Sequence, residues 1–118
     1  MPEAMNMFTE YRNGVNIIRI KNMILLDPAL ADTMMKTLVD AFDSGSQSVL
    51  VDIGGVTRMT SLFFRSFIVA GKRAKEKCAT LAFCNVSPAI KEGFVMMGLA
   101  SYFSIYDKEA VAIEHLKR

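Results

Sequence analysis

The chain has 118 residues, 52% of them hydrophobic and 22% charged, which suits one folded domain around one core and excludes both disorder and a second domain. Fourteen Lys and Arg stand against twelve Asp and Glu, a formal charge of +2 that argues against a charged polymer such as nucleic acid as the direct partner. Mean hydropathy is +0.27, and apolar runs such as 67–70 fall far short of the roughly 20 residues a membrane helix needs. The start Met1-Pro2-Glu3-Ala4-Met5-Asn6 lacks the basic stretch and long apolar run of a secretory signal, so a cytoplasmic location without membrane insertion is expected.

Met7-Phe8-Thr9-Glu10-Tyr11 alternates loosely, Asn13-Gly14 is a turn dipeptide, and Val15-Asn16-Ile17-Ile18-Arg19-Ile20 resumes a strand pattern, so the spacing predicts an opening hairpin. Asp27-Pro28 combines a cap with proline at the first helical position. Leu30, Met34, Leu38 and Ala41 or Phe42 then recur at helical spacing, predicting a helix over 28–43. The polar cluster 43–48 breaks it, and Val49-Leu50-Val51-Asp52-Ile53 reads as a buried strand ended by Gly54-Gly55. A second helix is predicted over 62–77, burying Phe63, Phe67, Ala70, Gly71 and Ala74, with Thr60 or Ser61 as its cap. Its other face carries Leu62, Arg65, Val69 and Lys72, a mixture of apolar and cationic groups suited to an acidic or amphipathic partner.

Thr80-Leu81-Ala82-Phe83-Cys84 reads as a third buried strand. Ser87-Pro88 repeats the cap-and-proline device before a short helix closed by Gly98, with Met96 and Met97 expected to fill the core. A strand over 102–106 and a helix capped by Asp107 and running toward His115 complete the order β-β-α-β-α-β-α-β-α, that is, an α/β fold with a mixed, largely parallel sheet over the single domain 1–118.

Few groups carry chemistry. Cys78 and Cys84 flank an apolar run and are expected to be small buried hydrophobes. With the lone His115, expected to fray near the terminus, they make neither a disulfide framework nor a zinc set, so no metal and no cofactor are expected. Phosphate-loop, dinucleotide and Cys-x-x-Cys patterns are absent. An enzyme using Asp27, Asp52 and Ser61 ranks last, because Asp52 sits in a buried strand pattern and no base is evident.

Two segments are distinctive: 49–61, running from Asp52 through Arg58 to Thr60-Ser61, and Ser87-Pro88-Ala89-Ile90-Lys91-Glu92-Gly93-Phe94 continuing to Gly98-Leu99. Together they resemble the STAS domain of the anti-sigma factor antagonist type, whose members carry Asp-Leu-Ser-x-Val-x-Phe-Met-Asp-Ser-Ser-Gly-Leu and, later, Ser-Pro-x-Val-Lys-x-x-Phe-x-x-x-Gly-Leu. The hairpin, Asp27 and the final helix fall in the same order. The resemblance implies a non-enzymatic, bacterial regulatory module that binds an anti-sigma factor serine kinase and is phosphorylated at Ser61, with a phosphatase to reset it. In the family the residue matching Asp27 lies near the phosphorylation site. Where the family has Asp-Ser-Ser-Gly, this chain has Thr60-Ser61-Leu62-Phe63, which makes Thr60 a second candidate acceptor. The expected partner surface is Asp27, Arg58, Leu62, Arg65, Val69 and Lys72, with Arg58 placed to steer an acidic partner or pair with a phosphate. A homodimer is a further expected partner. The alternative is a cytoplasmic STAS subunit of a phospholipid-type ABC transporter, in which this loop is a permanent contact.

Overall fold

A computed structural model describes residues 4–117. Strands β1 (Met7–Arg12) and β2 (Val15–Ile20) form the expected hairpin; Asn13 and Gly14 both take positive φ, 53° and 78°, as a tight two-residue turn requires. Then come β3 (Ile24–Leu25), α1 (Pro28–Asp43), β4 (Ser48–Asp52), β5 (Arg58–Met59), α2 (Ser61–Glu76), β6 (Thr80–Cys84), α3 (Pro88–Met96), β7 (Ser104–Tyr106) and α4 (Glu109–Leu116). The main sheet has the order β1-β2-β4-β6-β7, antiparallel only at the hairpin and parallel elsewhere.

Both faces of the sheet are covered, which is why β4 and β6 read as continuous apolar runs rather than alternating ones. On one face Ile18, Ile20, Val49, Val51, Leu81 and Phe83 pack against α1, α2 and α3. On the other, Val15, Ile17, Leu50, Ala82 and Cys84 pack against Ala112, Ile113 and Leu116 of α4. Burial pushes the Cys84 thiol up to about 12, so it stays protonated at neutral pH and is no nucleophile.

Several expectations are corrected. Strands β3 and β5, two residues each, form a separate parallel pair that the sequence reading missed. Phe64 joins Phe63 and Phe67 in the core, because α2 packs against α3 as well as α1; its ring meets Phe94 edge-on at 5.0 Å. Met96 and Met97 are not core residues: Met96 is 79% exposed. Helix α3 ends in a Schellman turn, with Gly98 at φ 71° and the Leu99 N–H donating to the Phe94 carbonyl at 2.7 Å, so Leu99 takes the core place. Cys78 is exposed for a related reason: it holds the left-handed position (φ 54°) of the same turn after α2, where Ala79 donates to Ala74 at 2.8 Å. Helix α4 begins after Lys108 rather than Asp107, without a side-chain cap, and continues through His115, whose ring lies 5.3 Å from that of Tyr106.

Candidate functional site

The segment of greatest interest leaves the carboxyl end of β4, crosses to β5 and enters α2. It is held at its start by Asp52, only 8% exposed, whose carboxylate accepts from the Gly54 N–H at 3.0 Å, the Asn85 amide at 3.1 Å and Arg19 at 2.8 Å. Arg19 is shared with Glu10 at 3.1 Å and with Glu109, which does most to hold the guanidinium above its ordinary pKa. Burial alone would raise the Asp52 carboxyl; the Gly54 N–H, Asn85 and Arg19 together outweigh it and hold the carboxyl below its ordinary value. A depressed folded-state pKa means that this contribution is full above the unfolded value, about 4, and is lost as pH falls through the lower folded value. Urea unfolding followed from pH 7 to pH 3 is therefore expected to show stability falling mainly below about pH 4, and Asp52→Asn is expected to flatten that fall.

The far end of the segment is held by the small parallel pair. Thr57 and Thr60 donate their N–H groups to the Met23 and Leu25 carbonyls at 2.7 and 3.0 Å, fixing the approach to α2. Thr60 occupies the cap position of α2 but its side chain makes no cap hydrogen bond, and its hydroxyl oxygen is buried without a partner. At α1 and α3, by contrast, Asp27 accepts from the Ala29 N–H at 2.9 Å and Ser87 from the Ile90 N–H at 3.4 Å, as expected. Ser61, the first residue of α2, is exposed, and the first turn holds no acidic residue. The N-terminus of α2 therefore presents its free N–H groups and the positive end of its dipole without compensation.

Two shallow grooves flank this helix start. One, of about 240 Å³, lies between α1 and α2 and is lined by Pro28, Met35, Leu62, Arg65, Ser66 and Val69; Ser66 Oγ lies 3.1 Å from both the Ala31 and the Leu62 carbonyl and ties the two helices together. The other, of about 350 Å³, lies between α2 and α3. Of the anticipated residues, Leu62, Arg65 and Val69 meet in the first groove, with Lys72 exposed on the same helix. Thr60 and Arg58 line the second, and Asp27 is occupied capping α1. Met35 was missed; it lies one position off the buried stripe of α1, the place from which a helical side chain borders a groove.

None of the ion pairs among the described residues uses Arg58, Arg65 or Lys72. The described residues hold no group of three His, Cys, Asp or Glu able to bind a metal ion, and no helix long and apolar enough to cross a membrane. What the site offers is a surface: an exposed serine on a helix start without a side-chain cap, preceded by Arg58 and followed one turn on by Arg65, both outside the ion pairs among the described residues, with Leu62 exposed beside it and Lys72 about three turns farther along α2.

A family model described as STAS domain matches residues 7–112. The chain belongs to the STAS domain family. A protein of Bordetella bronchiseptica provisionally named anti-sigma factor antagonist BtrV is 23% identical over 93 residues, covering 79% of this chain and 80% of the relative. The same fold occurs in the crystal structure of an anti-sigma factor antagonist from Mycobacterium paratuberculosis, with a TM-score of 0.84, 14% identity and coverage of 98% and 97% of the two chains. It occurs again in the Bacillus cell fate determinant SpoIIAA in its phosphorylated form, with a TM-score of 0.73, 16% identity and coverage of 95% and 100%. This STAS domain shares with them the mixed sheet and four helices into which the Ser61 segment is built.

Proposed function

We propose that this STAS domain is a regulatory binding module of the cytoplasm, an anti-sigma factor antagonist that docks on a kinase-type anti-sigma factor and is released when that kinase phosphorylates Ser61. The observation that carries the reading is the state of the α2 start: Ser61 is exposed, its helix terminus has no side-chain cap, and Arg58 before it and Arg65 one turn after it form no ion pair among the described residues. A phosphate on Ser61 meets free backbone N–H groups and the positive helix end, so it is tolerated by the fold while adding nearly two negative charges to the surface. Thr60 is the lesser acceptor, because its hydroxyl is buried. Leu62, Val69 and the aliphatic stem of Arg65 supply the apolar part of the docking face, Lys72 and the Arg58 and Arg65 heads the charged part, and Asp27 holds the α1 end of the groove in place. A phosphatase restores the unphosphorylated form.

Incubation with a purified anti-sigma factor kinase and ATP is expected to add one phosphate, located by peptide mass spectrometry to Ser61, and to add none to Ser61→Ala. Absence of phosphate on the wild type, together with capture of an ABC ATPase alike by wild type, Ser61→Ala and Ser61→Asp, would instead favour the transporter-subunit reading. Leu62, exposed on the α2 face, suits such a permanent contact, whereas Phe63, expected beside it as a docking residue, is wholly buried in the core and takes no part.

A further inference from the structure

The groove between α2 and α3 lies on the opposite flank of the α2 start from the α1/α2 face. Phe64, Ile90 and Met59 line it, Leu26 borders it on the β3 side, and Arg58 stands over it. Gly93 lets the Phe64 ring lie directly against α3 at the floor of the groove: a Cβ there would come within 2.5 Å of the ring. Beyond Gly93 by three residues, and so on the same side of α3, is Met96. Leu26 is 45% exposed and Met96 far more so, which leaves apolar surface in water at the β3 side of the groove and one turn beyond its α3 wall. Arg58 is exposed and has no ion pair among the described residues, which leaves it open to an incoming carboxylate.

We infer that the anti-sigma factor partner seats an apolar side chain in this second groove, between Leu26 and Met96, and places a neighbouring carboxylate on Arg58, and that this contact selects the cognate partner. The inference rests on the proposed function and adds its specificity determinant. Charge complementarity and continuity with the Ser61 face argue for this occupant. An acidic segment is drawn to Arg58 and finds apolar surface beside it, whereas a partner lacking the acid leaves the cation covered and unpaired.

Binding of the purified kinase-type anti-sigma factor would be measured by calorimetry at low and high salt for wild type, Arg58→Glu, Arg58→Lys, Met96→Ser and, in the other groove, Leu62→Glu. The five proteins are compared after circular dichroism has shown the four variants folded; Arg58 and Met96 are exposed, so their replacement leaves the core intact. Arg58→Glu is expected to weaken binding by about tenfold or more at low salt and to lose most of the salt dependence, with Arg58→Lys largely restoring both. Met96→Ser is expected to weaken binding about threefold to tenfold at either salt. Arg58→Glu and Met96→Ser binding like wild type while Leu62→Glu fails would overturn the second groove and leave the proposed function standing. A wild type that does not bind the kinase would overturn both. Self-association of the wild type abolished by Met96→Ser would assign the groove to a second copy of this chain and overturn the inference.

Discussion

Ser61→Asp is expected to weaken binding to the anti-sigma factor by about a hundredfold, or ~3 kcal/mol, while Ser61→Ala stays within about threefold of wild type. Three effects set this size. A carboxylate at the centre of a closing interface must be desolvated, which costs several kcal/mol when it lacks a dedicated partner. It also competes for Arg58 and Arg65, the free cations that an acidic partner needs, and so removes attraction as well as adding repulsion. Finally, it does not act by unfolding the domain. An acid in the first turn of an uncapped helix is favourable by about 0.3–1 kcal/mol, and Ser61 is exposed on a first turn with no acid of its own. The thermal midpoint of Ser61→Asp is therefore expected to equal or exceed that of wild type, so loss of affinity with undiminished stability is the signature. Calorimetry on the three proteins measures the first, differential scanning fluorimetry the second. Equal affinities for Asp and Ala would mean that the serine is only a structural part of the helix start.

Much of the architecture is legible where local chemistry punctuates the chain. Asn13-Gly14, Asp27-Pro28, Ser87-Pro88 and Gly98 each impose a backbone geometry that few other residues satisfy, and the structure ends or begins an element at each of them. The apolar run of β4 announces a strand buried on both faces. What pattern reading misses is what depends on neighbours distant in sequence. Strands β3 and β5 are too short for any period and exist because Thr57 and Thr60 find the carbonyls of Met23 and Leu25. Phe64 looks like a flank of the α2 stripe until α3 packs there. Met96 and Met97 look like core until the Schellman turn hands their place to Leu99. At the site, Ser61 is legible because the family motif marks it, and the exposed stripe Leu62, Arg65, Val69 follows from helical spacing. The second groove is not legible, since Leu26, Arg58 and Gly93 come from three separate segments and its floor depends on how closely the Phe64 ring packs on α3 at Gly93.

Phe83→Ala is expected to be the most destabilising single substitution discussed, by about 3–5 kcal/mol, lowering the thermal midpoint by about 10–20 °C. Phe83 is wholly buried on β6, and its ring centroid lies 4.6 Å from Phe67 of α2, 5.1 Å from Phe94 of α3 and 5.2 Å from Phe103 in the segment leading to β7. Truncation removes the transfer free energy of a phenyl ring and leaves a void that these three rings, held edge-on or tilted by their own helices and strand, fill only in part. Phe83→Leu keeps most of the volume and is expected to cost roughly half as much, which separates the cavity from the loss of aromatic contact. The consequence reaches the surface. Phe67 and Phe94 belong to the helices that wall the α2/α3 groove, so a folded Phe83→Ala protein, assayed well below its midpoint, is expected to bind the partner more weakly although the substituted residue touches no solvent. Chemical denaturation gives the stability and calorimetry the affinity. A Phe83→Ala protein as stable as wild type would show that the aromatic cluster is not the framework that fixes the spacing of α2 and α3.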